Sequence, residues 1–295
     1  MTANPILQLL PSYSSRQYQV SILRLDQIHP IVSGNKWYKL RFYIQEANDK
    51  KASSIVSFGG PYSNHLVALA YAAKENNFKS MGYVRANKNE PITPSLAEAI
   101  GYGMQLEFIG RTHFQSIKNE LIQNNITEAS ASIYFIDEGG YGTLGAKGAA
   151  TILSSSATSV FDYIIAAVGT GTMLAGIINA AEPHQKIIGI PVLKNEISLE
   201  AEINALVTQQ PIDWKLLHQF HQGGYAKINP ALIEFMNALW THEKVPTDMV
   251  YTGKLLFAVK ALIKENYFEA NSKVLVLHSG GLQGNRSLPN GTLLF

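Results

Sequence analysis

Short apolar runs recur along this chain with helical segments between them, and that alternation restricts the fold more than any other feature. SIVSF (54–58), SMGYV (80–84), LEFIG (106–110) and SIYFI (132–136) are separated by stretches with helical periodicity, such as SNHLVALAYAAKEN. Strands alternating with helices of this length imply right-handed crossovers and a parallel sheet. A second series, YIIAAVG (163–169), KIIGIPV (186–192) and KVLVLHSGG (273–281), is almost wholly apolar, as a sheet covered on both faces requires. Helical segments accompany it at about 172–181, 196–208, 230–243 and 254–265. Near the start, QYQVSILRLDQ alternates as a half-buried strand, and KLRFYIQEAND follows with helical spacing. The expectation is an α/β chain of two domains, each a mostly parallel twisted sheet flanked by helices. The smaller spans 50–145; the larger combines 1–49 with 146–295.

Composition narrows the function. Apolar residues make up 46% and charged residues 16% of the 295, a balance that favours a folded core over disorder. The 24 basic and 22 acidic residues are interspersed, for a net charge of +2, so no footprint for nucleic acid or anionic membrane is visible. Small molecules are the expected partners. With no cysteine there is no thiolate nucleophile and no Cys-type zinc site, and the eight histidines form no HExxH; His218 and His221 stand three apart without a third ligand. The start, MTANPILQLLPSY, lacks a basic region before an apolar stretch, and no run of 18 apolar residues occurs, so the chain reads as cytoplasmic.

Several stretches can carry chemistry. VGTGTMLAG (168–176) joins a buried strand to a helix, where glycines permit close approach and free N–H groups suit an anion; a tight strand-to-helix turn is the plainer alternative. It matches neither the dinucleotide fingerprint nor a Walker loop. In SFGGPYSNHLVALA (57–70), Ser63, Asn64 and His65 open a helix and can hold a carboxylate, or Ser63 or Asn64 simply caps it. Tyr225 in HQGGYAK and Tyr251 in VYTGKLLFAV are candidate hydrogen-bond donors or half-buried aromatics. In SGNKWYKL (33–40), Lys36 and Lys39 share one helix face. Clustered ammonium groups among aromatics lower a lysine's pKa, and the neutral amine is the form that makes a Schiff base; two solvated surface lysines are the alternative.

Taken together and in order, HPIVSGNKWYKL, SFGGPYSNH, VGTGTMLAG, VYTGK and LHSGG resemble the 1-aminocyclopropane-1-carboxylate deaminase and D-cysteine desulfhydrase family over roughly residues 20–285. These enzymes use pyridoxal 5'-phosphate on a tryptophan synthase β-like fold (fold type II). The resemblance implies that Lys36 carries the cofactor and moves protons at the substrate α-carbon, with Lys39 near the phosphate. It implies that Asn64 meets the pyridoxal 3'-oxygen and that Ser63, Asn64 and His65 receive the substrate carboxylate, Ser63 also being a candidate for proton transfer. The backbone of Gly169, Thr170, Gly171, Thr172 and Met173 matches the phosphate cup, and Tyr225 and Tyr251 match two tyrosines facing substrate. A small amino acid as substrate and a homodimer follow from the same resemblance.

One position separates the branches. After the second tyrosine the cyclopropane deaminases place a glutamate against the pyridine nitrogen; here it is Thr252, as in the desulfhydrases. A carboxylate keeps that nitrogen protonated and the ring a strong electron sink, whereas a hydroxyl leaves it largely neutral. β-Elimination needs only a brief carbanion, so Thr252 points to a D-cysteine desulfhydrase-like lyase, with the deaminase and a binding-only paralogue as alternatives.

Overall fold

A computed structural model describes residues 4–127, 133–194, 197–208 and 212–295. Among them, two sheets account for all the strands. The four-stranded sheet is wholly parallel, in the order β5-β4-β3-β6, from β3 (Ser54–Gly59), β4 (Lys79–Arg85), β5 (Met104–Ile109) and β6 (Ile133–Ile136). The six-stranded sheet has the order β1-β2-β10-β7-β8-β9. Its parallel members are β2 (Tyr18–Arg24), β7 (Tyr163–Val168), β8 (Lys186–Pro191), β9 (Asp213–Leu216) and β10 (Ser272–His278). Only β1 (Ile6–Leu9) runs antiparallel, along the edge beside β2.

The central strands β7 and β10 are apolar because helices cover both faces. On one face α8 (Pro230–Glu243) and α9 (Thr252–Lys264) bury Leu232, Met236, Leu255 and Val259 against Val20, Ile165 and Val274. On the other, α5 (Thr143–Ala150) and α6 (Thr172–Ala180) set Ala146, Leu174 and Ile177 against Ile164 and Leu275. The smaller sheet packs α2 (Asn64–Glu75) and α3 (Pro94–Gly101) through Leu66, Leu69 and Leu96 onto Ile55 and Val84. Its far face closes with Phe58, Ile109 and Phe114, the last from α4 (Phe114–Thr127).

Helix α1 (Asn35–Asp49) lies between the sheets. Its Leu40, Tyr43 and Ala47 join the core of the smaller sheet, Tyr38 joins that of the larger, and Trp37 packs on both. Helix α5 crosses α1 closely enough that a Cβ at Gly148 would sit 2.1 Å from the Tyr38 carbonyl oxygen. The lysine-bearing helix is therefore clamped from both sides.

Departures from the sequence expectation have local causes. Strand β10 ends at His278 rather than residue 281, because Gly280 and Gly281 turn the chain with φ of +74° and +90°. The helix expected over 196–208 is only Leu199–Asn204, a segment here termed α7, and residue 196 lies outside the described residues, as does residue 132 of the run at 132–136. As expected, a helix, α3, joins β4 to β5; it is started by Pro94 and capped by Thr93, whose Oγ1 accepts from the Leu96 N–H at 3.3 Å. Among the described residues no helix is long and apolar enough to cross a membrane.

Candidate active site

The sequence-derived candidates come from segments that meet at the carboxyl ends of parallel strands, where α/β sheets place their ligands. The first is the turn into α1. Gly34 has φ +67°, and a Cβ there would lie 1.9 Å from the Ser279 carbonyl oxygen, so the glycine lets the Ser279–Gly281 turn sit directly on the start of α1. Asn35 N–H donates to that carbonyl at 3.1 Å. The same turn reaches α2, for Asn64 Nδ2 donates to the Gly281 carbonyl at 3.3 Å. Three of the sequence stretches are thereby locked together, two by backbone and the third through the Asn64 side chain.

Lys36, half-buried, donates from Nζ to Asn35 Oδ1 at 3.0 Å. Burial lowers its pKa to about 8, against a partly opposing effect of the Asp248 carboxylate. Lys39, one turn on, is 2% exposed. Burial, and then the neighbouring charge of Lys36, hold it well below the ordinary lysine range. Among the described residues it has no hydrogen bond or ion pair. His65, also buried, is kept neutral by the same burial and by both lysines, and its Nε2 lies 2.8 Å from Ser57 Oγ. Gly140 abuts both side chains: a Cβ there would fall 3.4 Å from Lys39 Cε and 3.6 Å from His65 Cε1.

At the mouth of β7, Gly171 adopts φ +74° and precedes α6, whose first N–H groups receive no side-chain cap. Thr170 and Thr172 face one another, Oγ1 to Oγ1, at 3.2 Å. Thr170 packs on Gly139, one residue from the Gly140 that touches Lys39. Gly169 faces Tyr251, whose ring would be 3.2 Å from an added Cβ. Met173 is buried in the first turn of α6.

Tyr225 and Tyr251 meet edge to face, ring centroids 6.3 Å apart at 76°. Burial, and then the charge and hydroxyl of Tyr225, raise the Tyr251 phenol well above its usual range; Tyr225, 47% exposed, is raised by the partial enclosure of its hydroxyl. Thr252, fully buried, donates from Oγ1 to Asp248 Oδ1 at 2.7 Å. Ser63 caps α2, its Oγ accepting from Leu66 N–H at 3.2 Å, so the plainer reading of that hydroxyl is realised while its proton stays available.

Sequence reasoning passed over four contributors. Asp248 accepts from the N–H groups of Val250, Tyr251 and Thr252 at 2.8, 2.7 and 2.9 Å. Lys254, fully buried, donates to the carbonyls of His221 at 3.0 Å and Gly224 at 2.5 Å, so it anchors the loop bearing Tyr225. Ser57 orients His65, and the Glu138–Gly140 turn faces Lys39. A helix-start reading of TDMVYTG could have found Asp248; nothing in sequence marks the other three. His218, by contrast, pairs with Glu200 at 2.6 Å in an exposed contact.

The arrangement fits a phosphorylated aldehyde. A lysine amine without a counter-ion, which an anion would return to its charged form, and an uncapped helix start both suit an anion. Asn64 Oδ1 and His65 Nδ1 are buried with no partner, two polar atoms left for a ligand. Residues 4–280 match the family described as pyridoxal-phosphate dependent enzyme. The chain belongs to that family. Pyridoxal phosphate is accordingly its cofactor.

Relatives sharpen the comparison. The chain is 26% identical to a Pyrococcus furiosus protein named putative 1-aminocyclopropane-1-carboxylate deaminase, over 95% of this chain and 93% of the relative, and 25% identical to a D-cysteine desulfhydrase of Salmonella choleraesuis, over 93% and 90%. It is 26% identical to a mitochondrial bifunctional D-cysteine desulfhydrase/1-aminocyclopropane-1-carboxylate deaminase of Arabidopsis thaliana, over 86% of this chain and 70% of that one. A crystal structure of an ACC deaminase homologue superposes with a TM-score of 0.82 at 24% identity, covering 96% of this chain and 91% of that one. That likeness establishes the shared fold.

Proposed function

We propose that this pyridoxal-phosphate dependent enzyme is a lyase that eliminates the β-substituent of a small amino acid, with D-cysteine as the type substrate. D-Cysteine and water give pyruvate, ammonia and hydrogen sulfide. The observation that carries this reading is a half-buried Lys36 amine, its pKa lowered to about 8, on the helix that also brings Lys39 to His65 and Gly140, together with the Tyr225–Tyr251 pair set against Gly169. The Lys36 amine can take a proton near neutral pH and the phenols can give one.

The cofactor would be held by Lys36 at its aldehyde, by Lys39 and the backbone of Gly169–Met173 at its phosphate, by Asn64 at its 3'-oxygen and by Thr252 at its ring nitrogen. When bound, it supplies an aldehyde that links reversibly to amines and a ring that accepts electrons. The chain's own residues do the rest. Ser63, Asn64 and His65, at the start of α2, receive the substrate carboxylate, helped by the positive end of the helix. The Lys36 Nζ, neutral in a useful fraction at physiological pH, removes the proton on the substrate α-carbon. Tyr251, with Tyr225 beside it, donates a proton to the departing sulfur. Ser63 Oγ–H is a second candidate donor, because its cap uses only a lone pair.

Thr252 in place of a carboxylate supports elimination over opening of a cyclopropane ring, which asks more of the electron sink. A second reading, 1-aminocyclopropane-1-carboxylate deamination, draws on the relatives named putative 1-aminocyclopropane-1-carboxylate deaminase and on Asp248 directly behind Thr252. Incubation with D- and L-amino-acid panels and with the cyclopropane substrate, scoring sulfide against 2-oxobutanoate, separates the two. Sulfide and pyruvate from D-cysteine are expected; 2-oxobutanoate as the main product would reverse the assignment. Ligand-dependent spectral change with no keto acid from any substrate would leave a binding protein.

A further inference from the structure

The histidine of LHSGG belongs to the framework of the site, and the proposed reaction leaves it unused. His278 ends β10 and is fully buried. Its Nε2 donates to the Pro246 carbonyl at 2.7 Å, so that nitrogen carries a proton. Nδ1 lies 3.3 Å from the Gly280 amide nitrogen and 3.3 Å from Asp26 Oδ1. A neutral ring accepts from Gly280 and an imidazolium donates to Asp26, so both edges of the ring are gripped in either state. Asp26 is fixed in turn. Arg24 donates to it from Nε at 2.9 Å and Nη2 at 2.7 Å, and Arg24 Nη1 donates to Gln8 Oε1 at 2.7 Å. The Arg24 and Asp26 side chains are only 4% and 3% exposed. A buried ion pair adds little net stability over apolar packing of the same volume, so its use to the fold lies in fixing one arrangement of the chain.

The segments joined in this way are the ones that hold the start of α1. Leu25, between Arg24 and Asp26, accepts the Gly34 N–H at 2.7 Å, and Ser279, between His278 and Gly280, accepts the Asn35 N–H at 3.1 Å. Gly281, the next residue of the turn, accepts from Asn64. Pro246 shortly precedes Asp248, whose carboxylate takes the Tyr251 and Thr252 N–H groups. One imidazole therefore ties together the backbone that supports Lys36, Asn64 and Thr252. We propose that His278 is a positioning residue that sets Lys36 Nζ relative to Asn64 and Thr252, and so places that amine against the cofactor aldehyde and the substrate α-proton. This rests on the reading that those three residues hold pyridoxal phosphate. Placement of this kind acts on kcat, because a misdirected base slows proton removal without weakening substrate binding.

The test compares wild type with His278→Gln, whose amide can still donate to Pro246, and His278→Asn, whose amide takes the place of Nδ1, each saturated with pyridoxal phosphate. Visible circular dichroism of the bound cofactor reads how its ring is held and needs no substrate. On the same samples kcat and KM are measured for sulfide release from D-cysteine. Both variants are expected to alter the dichroism and to lower kcat about 10- to 100-fold, with KM changed by less than about threefold. Wild-type dichroism and wild-type kcat in both variants overturn the proposal even where the melting temperature falls, for His278 would then serve stability alone. Should neither variant fold, hydrogen exchange on the wild type decides. The N–H groups of Gly34, Asn35 and Gly280 are expected to open as one unit, their protection agreeing within about tenfold, and a wider spread overturns the proposal. Borohydride trapping separates two failures. A wild-type adduct at Lys36 with dichroism and kcat unchanged in the variants refutes this inference alone, whereas no wild-type adduct at Lys36 refutes the proposed site.

Discussion

Burial of Lys36 makes a quantitative demand on how fast the empty protein captures its cofactor. Only the neutral amine attacks an aldehyde. Moving the amine from 10.5 to about 8 raises its neutral fraction near pH 7 by roughly 300-fold. The cause is desolvation of the ammonium, with Asp248 pulling the other way, so the low value belongs to the enclosed geometry and not to a neighbouring cation. The assay is stopped-flow absorbance of the cofactor-free protein mixed with pyridoxal phosphate between pH 7 and 10, a range in which the phosphate ionisation is complete. The capture rate should climb about fivefold between pH 7 and 8, about twofold more by pH 9, and then level off. Lys36→Ala should show no covalent capture. A rate that keeps rising tenfold per pH unit through pH 10 would mean an ordinary, hydrated lysine, and the enclosure argument would be wrong.

Three further outcomes follow from individual contacts. Lys39→Met removes a buried, unpaired ammonium, so the cofactor-free chain should gain about 1–3 kcal/mol in denaturant unfolding while affinity for pyridoxal phosphate falls roughly 10- to 100-fold by fluorescence titration; a change of the same sign in both would refute its assignment to the phosphate. Gly34→Ala drives a methyl group into the Ser279 carbonyl at a backbone angle hostile to alanine, and should cost about 3 kcal/mol or more with loss of cofactor binding; a wild-type melting temperature would contradict the clamp. Lys254→Met leaves the His221 and Gly224 carbonyls without their donor, costs about 2 kcal/mol, and should raise KM through the loosened Tyr225 loop more than it lowers kcat; an unchanged KM would detach that loop from substrate binding.

The parallel strands were legible in sequence because they are buried on both faces and so read as unbroken apolar runs, as at Tyr163–Val168. Strands β1 and β9 were not, being short and half-exposed at the two edges of the larger sheet, where little apolar pattern is imposed. The lysine pair was legible because three-residue spacing survives as a shared helix face, and the structure sets Lys36 and Lys39 in one enclosed site. Asp248 was not: from sequence it is an aspartate before a helix, and only the folded turn directs the Thr252 hydroxyl at it. Lys254 illustrates the converse difficulty. Its motif, VYTGK, was read for the tyrosine, while a fully buried lysine that holds two loop carbonyls leaves no signature in spacing.

The central claim is that one particular nitrogen, Lys36 Nζ, carries the cofactor. Borohydride reduction of the protein loaded with pyridoxal phosphate, followed by peptide mapping by mass spectrometry, reads this directly. The account predicts a single reduced pyridoxyl adduct on Lys36, lost in Lys36→Ala. An adduct on Lys39 or Lys254 instead, or none on any lysine, would contradict it.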